Sequence, residues 1–217
     1  MQPSLRQRCL VIAAVTILCL SLSGRAQSPD EAAVKAVVAE FYAAYEKKDV
    51  DALMRLWSAD SPFYAKVRKE VTDQSATTDF AFSNLAVTRL TVEGTRARLR
   101  VSVDVRATNR RTQKTQQDRT LHEIELVREG TEWKFWRNFS AWKSLAEKML
   151  QAESDAARAE LLKGEPDLVG KQLAGALIGE GDGLRAQRNN KEAMRAYELA
   201  RGLAEQLQDQ KTLYSVW

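Results

Sequence analysis

Residues 118–142, DRTLHEIELVREG followed by TEWKFWRNFSAW, predict the last hairpin of an antiparallel β-sheet. Apolar and polar residues alternate before and after a turn at Glu129 and Gly130, as they do in strands that bury one face. The same stretch holds His122, the only histidine in the chain, and three of the five tryptophans. We therefore expect the fold to be organised around this hairpin.

The strands that precede the hairpin are indicated by a change of period. Helical spacing gives way to alternation from Phe80 onward, and a change of phase predicts a β-bulge near Thr88 and Arg89. Residues 96–107 alternate most regularly, with apolar residues at the odd positions and polar residues such as Arg100 at the even ones. One face of this strand is therefore predicted to be buried and the other to face solvent.

Helices are predicted before the sheet. Ser28 is suited to cap the first helix and Pro29 to occupy its first position. Apolar residues then recur at three- and four-residue steps, which predicts an amphipathic helix; they are Val34, Val37, Val38, Phe41, Tyr42 and Tyr45. Asp49 is expected to cap a second, short helix, and a third helical segment is predicted from residue 63 to about residue 72.

Two stretches carry a resemblance to a known superfamily. AEFYAAYEKKDVDALMRLWS at residues 39–58 and EGTEWKFWR at residues 129–137 resemble the NTF2-like superfamily, which includes SnoaL-like and ketosteroid-isomerase-like domains. The resemblance covers residues 27–147. It implies an α+β fold in which a cone-shaped, curved antiparallel sheet wraps around the N-terminal helices.

Helical composition returns after Trp142. We expect a helical linker at residues 148–174, with Ser154 as the cap of one helix. Residues 175–217 resemble a helical hairpin of a tetratricopeptide (TPR) repeat, because Gly181, Tyr197 and Ala200 match its pattern of small and large residues. This all-α region implies a protein partner. A lone repeat leaves an apolar face unburied, so we expect either a truncated array or burial of that face on the sheet domain or a partner.

Residues 1–26 are predicted to be a signal peptide. Arg6 and Arg8 precede an uncharged run at residues 9–22, and Gly24-Arg25-Ala26 is suited to cleavage near Ala26. The run is shorter than the roughly 20 apolar residues that span a bilayer, so no permanent membrane anchor is expected. The mature protein is therefore predicted to be exported, to the periplasm or the medium.

Cleavage also changes the charge and the thiol content. The 33 basic and 29 acidic residues become 30 and 29, because three arginines leave with the signal peptide, so nucleic acid is not an expected partner. Both cysteines, Cys9 and Cys19, leave as well, which excludes a cysteine nucleophile or a thiolate metal site. Arginines on the solvent face of residues 96–106 continue into the following loop. This basic stripe is read either as a solvated strand face or as a surface for an anionic partner such as a polysaccharide or a lipid headgroup.

The candidate site residues are aromatic, apart from one histidine. Tyr42, Tyr45, Trp57, His122 and Trp136 are predicted to line a pocket for a small apolar ligand, or else to form ordinary core. His122 is the candidate catalytic base, against the alternative of a half-buried strand histidine. No metal and no cofactor are predicted, because there is no second histidine and the neighbouring glutamates lie on the opposite strand face.

The resemblance to ketosteroid isomerases does not extend to their catalytic residues. Phe41 stands where the helix tyrosine would fall, and residues 61–65, SPFYA, provide no carboxylate where the base would fall. The leading hypothesis is therefore an exported, non-catalytic binding and scaffold protein. One alternative is a SnoaL-like enzyme that acts on an apolar small molecule with His122 as base. Another is the N-terminal fragment of a longer TPR protein with an effector domain further along the chain.

Overall fold

The computed structural model describes residues 28–209, which form seven α-helices and four β-strands. The predicted signal peptide and residues 210–217 of the predicted TPR-like hairpin lie outside the described residues. The helices are α1 (Pro29–Glu46), α2 (Val50–Arg55), α3 (Tyr64–Thr77), α4 (Ala141–Gln151), α5 (Asp155–Gly164), α6 (Lys171–Ala186) and α7 (Asn190–Gln206). The strands are β1 (Thr78–Glu93), β2 (Arg96–Asn109), β3 (Thr115–Glu129) and β4 (Glu132–Ser140).

Side-chain caps start several of the helices, as the sequence predicts. Ser28 Oγ accepts a hydrogen bond of 3.1 Å from the Glu31 amide at the start of α1, and Asp49 Oδ1 accepts one of 2.8 Å from the Ala52 amide at the start of α2. Ser154 caps α5 in the same way. The third helix is longer than predicted and leads directly into β1.

The four strands form one antiparallel sheet in the order β1-β2-β3-β4. The predicted bulge near Thr88 is present, because the pairing of β1 with β2 shifts between Val87 and Arg89. A second bulge, which the sequence analysis did not identify, lies at Asn84, where the backbone φ is +52°. At the other edge, the loop after α2 pairs with β4, where the Phe135 amide donates to the Leu56 carbonyl over 2.7 Å. That edge is therefore protected from pairing with another chain.

One face of the sheet, which we call the inner face, packs against α1, α2 and α3. Its core includes Val101, Ile124 and Phe135 from the strands and Val34 and Val38 from α1, all at most 1 % exposed. The predicted face of β3, which holds His122 and Ile124, is the one that points into this core.

The opposite face, the outer face, is partly covered by the C-terminal helices. A second apolar cluster joins α4, α6 and α7 around Leu145, Leu173 and Leu177, and Leu121 of β3 packs against it from the sheet. This corrects the prediction that the even positions of β2 all face solvent. Arg100 is 8 % exposed and Ser102 is 2 % exposed.

The α+β class is confirmed, since helices precede a four-stranded antiparallel sheet in the layout expected of an NTF2-like fold. The segment after the sheet is helical. Its description as TPR-like and the domain boundaries at residues 147 and 174 stay predictions, and α4 runs across residue 147. Within residues 28–209, no helix combines the length and the apolar composition needed to cross a membrane.

Candidate functional site

An aromatic cluster lies between α1 and the inner face of the sheet. The Tyr42 ring meets Phe82 edge-on at a centroid distance of 5.0 Å, and Tyr45 meets Phe80 and Phe82 at 5.3 and 5.6 Å. Phe82 reaches this cluster because it pairs with Val105, whose side chain also points inward. Edge-to-face packing of this kind adds to the stability gained by burial.

His122 borders the cluster on β3. Its ring lies 6.5 Å from the Tyr42 ring, and its Nδ1 lies 2.9 Å from Oδ1 of Asn138 on β4. Because an amide oxygen only accepts, Nδ1 carries the proton and donates, which leaves Nε2 as an acceptor in the neutral ring. Burial lowers the pKa of His122 from its ordinary value, and the hydrogen bond to Asn138 offsets part of that shift. His122 is therefore neutral near pH 7.

Two aromatic residues of the cluster differ in their hydrogen bonding. The Tyr45 hydroxyl donates to Oε1 of Gln74 on α3, and burial together with the nearby charge of Glu70 raises the pKa of Tyr45 to about 12. The Tyr42 hydroxyl finds no partner among the described residues, although Tyr42 is only 5 % exposed. A buried hydroxyl without a partner is costly, so this group is available to a bound molecule or to water.

The structure brings together three of the five residues predicted to line a pocket. Tyr42, Tyr45 and His122 lie in the cluster just described. Trp57 lies deeper, where its ring stacks on Phe135 at 5.6 Å, and its Nε1 has no hydrogen-bond partner within residues 28–209. Trp136 lies at an irregularity of β4, between the partners of Glu125 and Leu126, and is only partly buried.

Asn138 and Phe82 are site residues that sequence analysis missed. Asn138 falls opposite Ile124 in the hairpin register, on the same face as His122. Regular pairing outward from the Glu129-Gly130 turn would place Asn138 opposite Glu123, on the other face. The irregularity in β4 shifts the register by one residue and brings Asn138 to the face of His122. Phe82 is placed by long-range pairing with β2, which has no local signal in the sequence.

A second site candidate is a groove on the outer face, between the sheet and α4, with Glu165 after α5 at its border. Its volume is about 490 Å³. Its charged lining consists of Arg89, Arg98, Arg100, Glu123, Glu125, Arg137, Glu147, Lys148 and Glu165. Many of these groups form ion pairs with each other, as Arg100 does with Glu123 and Glu165.

The described part of the chain contains no preformed metal site. No group of three or more His, Cys, Asp or Glu side chains in residues 28–209 is arranged to hold a metal ion. In particular, no carboxylate within these residues is hydrogen-bonded to His122.

Comparison with known protein families and structures matches mainly the first part of the chain. Residues 36–145, which are 110 of the 217 residues, match the model of the family described as anti-sigma-I factor RsgI9, C-terminal domain. The helices after residue 145 lie outside this match. No curated protein matches the sequence.

Several solved structures are similar over about half of the chain. A conserved protein from Planctomyces limnophilus is 17% identical, with a TM-score of 0.47 over 50% of this chain and 92% of that one. A ketosteroid isomerase-like protein from Erwinia carotovora atroseptica is 15% identical, with a TM-score of 0.46 over 51% of this chain and 94% of that one. A protein of the NTF2-like family from Streptomyces avermitilis is 16% identical, with a TM-score of 0.43 over 51% and 94%.

Proposed function

The chain belongs to the family of the C-terminal domain of anti-sigma-I factor RsgI9, and from this premise we propose that it is an exported, non-catalytic binding protein. The family is described as part of a regulatory factor, which favours binding over turnover. The proposed ligand is a small, mostly apolar molecule with one polar atom. It binds between α1 and the inner face of the sheet.

The observation that carries this proposal is the Tyr42 hydroxyl. It is buried, it finds no partner among the described residues, and it neighbours a neutral His122 whose Nε2 accepts. A ligand hydroxyl can accept from Tyr42 and donate to His122, while its apolar part packs against Phe82. Such a ligand satisfies both polar groups at once, which is how mostly apolar sites fix a ligand's orientation.

A thermal-shift screen with aromatic alcohols such as 2-naphthol tests the proposal. We expect stabilisation of the native protein and loss of that stabilisation in Tyr42→Phe and His122→Ala. Tyr64→Phe is the control, because Tyr64 lies on α3 and makes none of the aromatic contacts of the cluster. If no alcohol stabilises the protein, or if Tyr42→Phe responds as the native protein does, the proposed site is wrong.

A second candidate function is catalysis with His122 as the base. The hydrogen bond from Nδ1 to Asn138 favours it, because this bond orients the ring and leaves the Nε2 lone pair free. The lowered pKa also keeps that lone pair available near neutral pH. A ligand that stabilises the native protein and is recovered chemically unchanged after prolonged incubation supports binding alone. Conversion that is lost in His122→Ala supports an enzyme.

The second part of the proposal is that the C-terminal helices dock a protein partner. Its support is the surface of α7, where Met194 is 58 % exposed. Affinity purification with the native chain, with Met194→Glu and with the control Glu198→Gln tests it. A partner retained by the native chain and by Glu198→Gln but lost with Met194→Glu supports docking at this surface, whereas equal retention by all three contradicts it.

A further inference from the structure

Residues 155–168 connect α4 to α6 and reach the outer groove at Glu165, and we call this segment the strap. It consists of α5 and a 3-10 turn at Pro166–Leu168. No residue of α5 is buried, and Leu168 is the one strap residue in the buried core. Leu161 and Leu162 of α5 pack against the second apolar cluster but stay partly exposed, so apolar packing holds the strap less firmly than it holds the buried helices α4 and α6.

One side chain of the strap makes unusually good polar contacts with the sheet. The two carboxylate oxygens of Glu165 accept hydrogen bonds of 2.6 and 3.1 Å from Nη1 and Nη2 of Arg100. Oε1 also accepts one of 2.6 Å from Nη1 of Arg89. A two-pronged contact between a guanidinium and a carboxylate is the geometry that proteins use to recognise carboxylates.

Arg100 is built to hold an anion at this place. It is 8 % exposed, and its guanidinium is positioned from the other side by Glu123 of β3. Lys148 in turn holds Glu123 at 3.1 Å. The Arg100 Nε lies buried and has no hydrogen-bond partner within the described residues. The arginine therefore retains an unused donor in addition to those that Glu165 occupies.

The charge of the groove depends on the strap. Five basic and four acidic side chains line it, and Glu165 is one of the four. Without Glu165, the lining has five basic and three acidic side chains. A vacated groove would therefore attract a carboxylate, and its volume of about 490 Å³ is larger than one carboxylate requires.

We propose that this groove is a docking site for an acidic peptide segment of a partner protein, and that Glu165 of the strap occupies it as a built-in competitor. The residue of the strap that lines the groove, Glu165, belongs to an acidic stretch, Gly164-Glu165-Pro166-Asp167. A partner segment with the same chemistry replaces its carboxylate on Arg100. Docking then displaces the strap and couples the outer face of the sheet to the C-terminal helices.

The test uses the full chain and the acetylated, amidated tetrapeptide Gly-Glu-Pro-Asp, with Gly-Gln-Pro-Asn as the neutral probe. Binding is followed through the Arg100 Nε–H signal in ¹H–¹⁵N spectra. We expect Glu165→Gln to bind the acidic peptide about tenfold more tightly than the native chain, because the competitor is weakened. Glu160→Gln, an exposed change elsewhere in the strap, should bind as the native chain does.

A second measurement does not depend on a variant. Hydrogen exchange of the native chain should speed up in residues 155–168 on addition of the acidic peptide, and not on addition of the neutral one. The proposal is overturned if the acidic peptide leaves exchange in the strap unchanged at saturation of the Arg100 signal. It is also overturned if Glu165→Gln and the native chain bind with the same affinity, or if the neutral peptide binds equally well.

Discussion

At the scale of single residues, the inner site combines two polar groups with opposite hydrogen-bonding states. His122 is satisfied at Nδ1 by Asn138, whereas the Tyr42 hydroxyl has no partner among the described residues. Burial raises the pKa of Tyr42 above its ordinary value, so the hydroxyl stays protonated at any physiological pH. Near neutral pH, therefore, His122 is the group at this site whose protonation state can change.

We predict that protonation of His122 destabilises the fold. Its folded-state pKa lies below the ordinary value of about 6.5, so the unfolded chain binds the proton more tightly. The free energy of unfolding should fall as pH falls below about 6.5, by at most about 1.4 kcal/mol per pH unit from this residue. Urea unfolding of the native protein and of His122→Gln at about pH 7.5, 6.5 and 5.5 measures the difference.

Comparing the native protein with His122→Gln separates the effect of His122 from that of other groups that titrate over the same pH range. The facing groups are the Tyr42 ring from α1 and the Asn138 amide from β4, and neither changes charge there. The variant should therefore lose less stability than the native protein between about pH 6.5 and 5.5. Equal losses in the two proteins would contradict a buried, neutral His122.

At the scale of elements, the α6–α7 hairpin depends on one close approach. A Cβ atom built on Gly181 would lie 2.5 Å from Cε1 and 2.9 Å from Cδ1 of Tyr197. The hydroxyl of Tyr197 donates to Oδ1 of Asp182 over 2.7 Å, which holds the ring against α6. Gly181 therefore allows the two helices to pack through the tyrosine ring.

We predict that Gly181→Ala destabilises the protein by about 1–3 kcal/mol, because the added methyl group forces the tyrosine ring or the helices apart. Gly179→Ala is the matched control. A Cβ at Gly179 meets no atom within 4 Å, so alanine should stabilise the helix by up to about 1 kcal/mol. Urea unfolding of the three proteins gives the comparison, and equal midpoints for the two variants would show that the contact with Tyr197 is unimportant.

At the scale of the whole molecule, β3 joins two cores. His122 and Ile124 face the inner core, while Leu121 packs against the cluster of C-terminal helices. Ion pairs continue the connection, since Glu147 of α4 pairs with Arg137 of β4 and with Lys143, which also pairs with Glu180 of α6. Strand β3 and this series of ion pairs therefore connect the sheet to the C-terminal helices.

We predict that the two cores unfold together. Leu177 is fully buried in the helical cluster, so Leu177→Ala should cost about 2–5 kcal/mol. With cooperative unfolding, the urea midpoints from tryptophan fluorescence and from far-UV circular dichroism should coincide in the native protein. Both should shift equally in the variant. Fluorescence and circular dichroism midpoints that separate in the variant would mean two independent units.

Local signals in the sequence account for most of the elements. Caps at Ser28 and Asp49, the inward face of β2 and the turn at Glu129 depend on residues close together in the chain, and the structure agrees with each. The same signals predict that Tyr42 and His122 point to the inner side. They do so because strand and helix periods determine which side chains share a face.

The tertiary structure alone decided what lies on the other side of the sheet and which groups meet. Arg100 reads as a solvent-facing strand residue, yet α4 and the strap bury it and join it to Glu165, 65 residues further on. The pairing of His122 with Asn138 likewise depends on an irregularity in β4 that shifts its register. The period of the sequence specifies which face of a strand or helix a side chain occupies. The partners of that side chain depend on how distant elements pack, and such packing leaves no periodic signal in the chain.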